Sequence, residues 1–233
     1  MPSLTRLLHR LLVAAAAAIS GTAYAGSYTD LFVFGDSLSD VGNTDNATLG
    51  FVPGSDNFAG RFSNGPVYAE RLSAGLGFGT LRADSDGGDN FAYGGAETDG
   101  PGGFNGLFLN SLVEQVDAYL GRLGSTPADA DALHVVFIGA NDLLDGSTDT
   151  ATPANVVSNQ LQRLVNAGAR QFLGINLPLL GLTPRFNGNA SQSATRSATA
   201  RQYNDALEDV FESIETNNAG TTIHRLDVQP LFG

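Results

Sequence analysis

The chain contains no cysteine, no lysine and no tryptophan, and only three histidines. Without cysteine no disulfide can staple the fold, so the native state rests on burial alone. Without lysine all positive charge is arginine, and 12 arginines face 24 acidic residues for a net charge of −12. That balance argues against a nucleic-acid partner and against anionic membranes, and it favours neutral, zwitterionic or cationic substrates. No Gly-x-Ser-x-Gly pentapeptide occurs, which removes the strand-to-helix nucleophile elbow. The longest N-terminal apolar stretch, Leu11 to Ile19, is too short to span a bilayer.

What is present begins with an export pattern. Arg6, His9 and Arg10 precede that apolar stretch, and Ala23-Tyr24-Ala25 supplies a small-x-small cleavage site, so residues 1–25 read as a secretory signal. Its removal would leave ten arginines and a net charge of −14 on residues 26–233, enough chain for one domain with a substantial core. The expected location is periplasmic or secreted.

Apolar runs alternate with amphipathic ones along the rest. Strands are expected at Leu31 to Phe34, Asn90 to Tyr93, Ala132 to Ile138, Gln171 to Asn176 and Thr221 to Leu226. Helices are expected at Pro66 to Gly75, Leu112 to Leu123, Pro153 to Ala167 and Ser193 to Thr216. Such alternation, with no repeat or long linker, predicts an α/β fold with a parallel, doubly wound sheet and helices on both faces.

In open sheets of this kind ligands gather past the carboxyl ends of the strands. The residues there are Asp36-Ser37, Gly94-Gly95, Asn141-Asp142 and Asn176. A serine hydroxyl can attack a carbonyl, and a glycine N–H, the serine N–H and an asparagine amide can receive the oxyanion that forms. Asp36 and Asp142 are expected to make local hydrogen bonds rather than act as acids. The loop Asp84 to Asp89 lacks calcium-loop spacing and reads as a solvated turn.

Phe34-Gly35-Asp36-Ser37-Leu38-Ser39-Asp40, the block Asn90 to Ala96 and Gly139-Ala140-Asn141-Asp142 resemble successive blocks of the GDSL, or SGNH, hydrolase family. Gly60 to Pro66 is similar to a segment of its larger lipase-like members. The resemblance implies a three-layer α/β/α sandwich with flavodoxin-like strand order, and ester hydrolysis through an acyl-enzyme with no metal and no cofactor. By position it makes Ser37 the nucleophile, Asn141 an oxyanion donor through its side chain and the Gly95 N–H a second donor, with Gly94 the competitor. The substrate would be a small-molecule or lipid ester.

The family's base arrives as Asp-x-x-His after the last strand, and no such string follows Thr221 to Leu226. His134 lies seven residues before Asn141, some 20 Å down a strand at about 3.3 Å per residue. His224 precedes Asp227 by three residues, a reversed echo of the motif. Residues 26–233 are therefore expected to form a hydrolase domain without its base, an N-terminal part of a longer enzyme such as an autotransporter-type esterase, and weakly active by itself. A last helix would also be missing, leaving Leu226, Val228, Leu231 and Phe232 partly uncovered. The competing reading is a non-catalytic secreted domain that binds acyl groups or acylated glycans. Acyl and alcohol preference would lie in the loops Asp45 to Phe58 and Pro101 to Leu109.

Overall fold

The computed structural model describes residues 28–100 and 110–232; the leader at 1–25 and the loop Pro101 to Leu109 lie outside the described residues. Four segments form parallel strands, β1 (Leu31–Gly35), β2 (Leu133–Phe137), β3 (Gln171–Ile175) and β4 (Thr222–Leu226), in the sheet order β1-β2-β3-β4. Gly35 lies opposite Phe137, Val136 opposite Gly174, and Ile175 opposite Leu226. A parallel strand covered on both faces must be apolar throughout, and β2 is buried at every position.

The predicted strand at Asn90 to Tyr93 is corrected to an irregular edge. It bridges β1 through Val33 and Asn90, and the Phe91 and Tyr93 N–H groups donate to Val33 and Gly35 carbonyls at 2.7 and 3.1 Å. Its outer side carries a single parallel bridge, Ala83 to Asn90, with the Asp84 N–H donating to the Asn90 carbonyl at 2.8 Å and the Asn90 N–H to the Arg82 carbonyl at 3.1 Å. There the Asn43 side-chain amide donates to the Asn90 and Ala92 carbonyls at 2.7 and 3.0 Å, which seals the edge against pairing with another chain. Counted with this segment, the sheet has the flavodoxin-like order in which the second strand lies outside the first.

Between β1 and this edge come two helices, α1 (Asn43–Ala47) and α2 (Tyr68–Leu76). The α2 helix starts later than the Pro66 expected from sequence, because the Glu70 carboxylate reaches back 2.8 Å to the Val67 N–H. Helix α3 (Leu112–Leu123) has the predicted bounds, set by Ser111 and Glu114, whose side chains each accept from the other's N–H. After β2 come the short α4 (Ala140–Leu144) and α5 (Ala151–Ala167); α6 (Ala190–Asn217) links β3 to β4. Both α5 and α6 begin ahead of their predicted starts. Asp149 accepts from the Ala151 and Thr152 N–H groups, and Asn189 accepts from the Gln192 N–H.

Strand alternation fixes the three layers. His134 and Gly174 point toward α3 and α6, where they meet Tyr119 and Phe211, while Phe137 packs edge-on against Tyr68 of α2 at 5.9 Å. Gly174 has no room for a β-carbon, which would clash with the edge of the Phe211 ring. Gly174→Ala should therefore lower stability by about 1–3 kcal/mol through overpacking, read as a shifted urea midpoint with unchanged slope.

Beyond β3 the α2 side of the sheet thins out. Leu226 is 42% exposed and Leu231 74%, as expected from sequence. Val228 departs from that expectation: it is buried, and its N–H donates to the Asn176 side chain at 2.8 Å. The Phe232 side chain lies outside the described residues. The carboxylates of Asp84 and Asp89 face the Arg122 guanidinium at 3.6 and 2.9 Å. That guanidinium also stacks 4.6 Å above Phe91 and holds the turn to the sheet edge.

Candidate active site

Ser37 occupies a tight turn directly after β1. The Asp36 carbonyl accepts from the Ser39 and Asp40 N–H groups at 3.0 Å each, and the Asp36 carboxylate accepts from the Leu38 N–H at 3.0 Å. Ser37 is thus a turn residue and caps no regular helix. It is half-buried, and its own N–H has no acceptor among the described residues.

Two neighbouring turns stand at the same edge of the sheet. Tyr93 is bonded to Gly35, which places Gly94-Gly95 beside the Ser37 turn, while Asn141 follows β2, the strand paired with β1. Gly139 supplies the bend, with φ +109°, and starts α4 with no side-chain cap, so Asn141 is not a capping residue. Its amide instead donates to the Ala96 carbonyl at 2.8 Å, leaving the second N–H of the same nitrogen. Next to it the Asp142 carboxylate accepts from the Thr98 N–H and, at 2.6 Å, from the Thr98 hydroxyl. The sequence-predicted Gly95 turn and Asn141 are therefore clamped together at two points.

Gly94 and Gly95 differ in what their N–H groups meet. The Gly94 N–H is consumed by the Asp40 carboxylate at 3.0 Å and the Thr44 hydroxyl at 2.7 Å, whereas the Gly95 N–H, at φ +80°, has no acceptor among the described residues.

Sequence reasoning missed the polar brace beneath these turns. Gln115 reaches from α3 to both the N–H and the carbonyl of Gly35, at 2.8 and 2.9 Å, and the Asn90 amide donates to the Ser39 carbonyl at 2.7 Å. Gln115, Asn90, Asp40, Asn43 and Thr44 are all fully buried. The available signal was Gln115 itself, a polar residue on the apolar stripe Leu112, Val116, Tyr119.

Charge around the turn is one-sided. Burial pushes the Asp36 carboxyl up to about 7, with Asp142 and Asp40 adding repulsion and the Leu38 N–H opposing. Burial also raises Asp142 and Asp40 against the hydrogen bonds they accept.

Neither described histidine reaches Ser37. The string Asp131-Ala132-Leu133-His134 does read Asp-x-x-His, but it enters β2 at the end far from Asn141. There His134 donates from Nδ1 to the Ala132 carbonyl at 3.1 Å and accepts at Nε2 from the Tyr119 hydroxyl at 2.9 Å. Burial drops its pKa to about 4, so it is a neutral core residue. His224 stands exposed on β4 and pairs with the Tyr28 hydroxyl at 3.0 Å, while Asp227 accepts from the Asn176 amide at 2.8 Å.

A three-layer α/β/α protein carrying a serine turn, a glycine turn and an asparagine on one rim falls in the class of open-sheet proteins that work at their strand ends. Within that class the chain belongs to the GDSL-like lipase/acylhydrolase family, whose model matches residues 31–230. It is 32% identical over 166 residues to a phosphatidylcholine-sterol acyltransferase of Aeromonas hydrophila, covering 68% of this chain and 47% of that protein. Lipase 1 of Photorhabdus luminescens is 30% identical over 180 residues, 73% of this chain and 25% of the lipase. An acetylesterase of Thermothelomyces thermophilus is 31% identical over 153 residues, 59% of this chain and 50% of the esterase. The matched stretch amounts to at most half the length of each of these relatives.

Proposed function

We propose that this protein cleaves carboxylic esters, of small molecules or lipids, with Ser37 as nucleophile and the N–H groups of Ser37, Gly95 and Asn141 as oxyanion donors. The observation that carries the reading is the set of donors left over on one rim: the Gly94 N–H is spent internally, the Gly95 N–H is not, and Asn141 is tied to the same turn through Ala96. Membership in a family of lipases and acylhydrolases, with relatives named lipase, acetylesterase and acyltransferase, supports acyl esters as the substrate class. The leader pattern at 1–25 supports export to the periplasm or beyond.

Attack by Ser37 on the acyl carbonyl forms a tetrahedral oxyanion; its collapse expels the alcohol and leaves an acyl-enzyme that water then hydrolyses. A serine hydroxyl needs a base to give up its proton, and no described histidine lies within reach. Turnover by the chain alone is accordingly expected several orders of magnitude below that of an enzyme with a complete Ser-His pair.

Where the base is absent, the remaining acceleration comes from the oxyanion donors, so Asn141 is a more sensitive probe than the nucleophile. Asn141→Ala should cut p-nitrophenyl acetate hydrolysis by the purified protein on the order of 10²–10³-fold. Hydrolysis at the wild-type rate in that variant would overturn the assignment. Saturable binding of the ester with no turnover in the wild type would favour a binding domain instead.

A further inference from the structure

The rim leaves one motif residue without a task. Asp40 closes the run that begins at Phe34, and it is completely buried with no cationic partner among the described residues. Its Oδ1 accepts from the Gly42 and Asn43 N–H groups, both at 2.8 Å. Its Oδ2 accepts from the Thr44 N–H at 3.2 Å and, across to the other turn, from the Gly94 N–H at 3.0 Å. The Thr44 hydroxyl meets the same Gly94 N–H at 2.7 Å.

A buried carboxylate is costly unless its lone pairs are filled, and four backbone donors fill these. Three of the four belong to its own loop and would serve a local cap; the fourth does not. Capturing the Gly94 N–H fixes that peptide plane, and the Gly95 N–H belongs to the very next plane, joined to it through the single α-carbon of Gly94. Asn43 fastens the preceding carbonyls of Asn90 and Ala92, so the whole approach to Gly95 is held from the Ser37 side.

We propose that Asp40, with Thr44, is a positioning residue that selects the oxyanion donor: it ties down the Gly94 N–H so that the Gly95 N–H is the one presented to substrate. This rests on the ester-cleaving reading given above. Neither side chain touches the reacting atoms; they act through one peptide group.

The test combines amide hydrogen exchange on the ¹⁵N-labelled protein with ester turnover. In the wild type the Gly94 amide should be strongly protected and the Gly95 amide should exchange nearly freely. Thr44→Val removes one of the two acceptors without changing shape, and it should speed Gly94 exchange and lower kcat for p-nitrophenyl acetate with KM within about 2-fold. Thr44→Ser, which restores the hydroxyl, should recover both. Asp40→Asn puts an N–H donor among N–H groups and should lower kcat by about 10–100-fold, less than outright loss of a donor. If Asp40→Asn fails to fold, the Thr44 pair still decides.

Gly94 protection unchanged in Thr44→Val would overturn the proposal. So would a loss of kcat that Thr44→Ser does not recover and that follows thermal stability alone. Full activity in Asn141→Ala, by contrast, would remove the ester-cleaving reading on which the proposal depends, and the Gly94 and Gly95 exchange rates would show separately whether Asp40 sets the turn.

Discussion

The stability advantage of Asp36→Asn over the wild type should widen by about 4 kcal/mol between pH 4 and pH 8, read from thermal or urea unfolding across that range. Asp36 is 2% exposed, and burial lifts its carboxyl from 3.8 to about 7 in the folded state. Below about pH 4 the folded and unfolded forms are both protonated and the group costs nothing. As pH rises toward 7 the unfolded chain releases this proton while the folded chain keeps it, so stability falls; above 7 both are ionised and the full cost remains. The shift of roughly three units, at about 1.4 kcal/mol each, sets the size. Asparagine can still accept from the Leu38 N–H but cannot ionise, so it escapes the slope. Asp40 and Asp142 are raised as well and slope the same way, yet both proteins keep them and they largely cancel from the difference. At 2–4 °C per kcal/mol the melting temperatures should separate by roughly 8–16 °C more at pH 8 than at pH 4. A gap that stays constant with pH would show that Asp36 titrates like an exposed carboxylate.

This prediction turns on a residue beside the nucleophile whose identity was visible in the sequence but whose environment was not. The strands were readable because β1, β2 and β3 are nearly continuous apolar runs, and α3 because Ser111 and Glu114 form a capping signature. The segment Asn90 to Tyr93 has the same local pattern and yet is no regular strand, since its outer side meets one bridge at Ala83 and then the Asn43 side chain in place of a neighbouring strand. Local pattern fixes which residues are extended; long-range polar partners fix which of them pair.

The site divides along the same line. Ser37, Gly95 and Asn141 could be named because each follows an apolar run, and the structure brings their turns to one edge. The brace of Asp40, Thr44, Asn43, Asn90 and Gln115 could not, because contacts such as Asp40 to Gly94 and Gly35 to Gln115 join residues 54 and 80 positions apart. The string Asp131 to His134 shows the converse. Its spacing is that of a catalytic pair, while its place at the start of β2 makes the histidine part of the core.

That core histidine gives a second titration of opposite sign. His134 packs among Tyr119, Phe32 and Phe172, and burial lowers its pKa from 6.5 to about 4. Above pH 6.5 neither state is charged and the His134 contribution is fully present. As pH falls toward 4 the unfolded chain gains a proton that the folded chain refuses, and about 3 kcal/mol is lost. His134→Phe keeps an aromatic ring in an aromatic cluster but leaves the Tyr119 hydroxyl and the Ala132 carbonyl unpaired, at a cost of about 1–3 kcal/mol per buried group. The variant should therefore be less stable than the wild type at pH 7.5, and the deficit should shrink by about 3 kcal/mol by pH 4. In the wild type the Asp36 and His134 slopes oppose each other across the shared window from about pH 4 to 6.5, with Asp40 and Asp142 adding to the Asp36 side. Measured against the wild type at each pH, Asp36→Asn should gain stability with rising pH and His134→Phe should lose it. Parallel profiles for the two variants would mean that one of these groups is not buried as the structure places it.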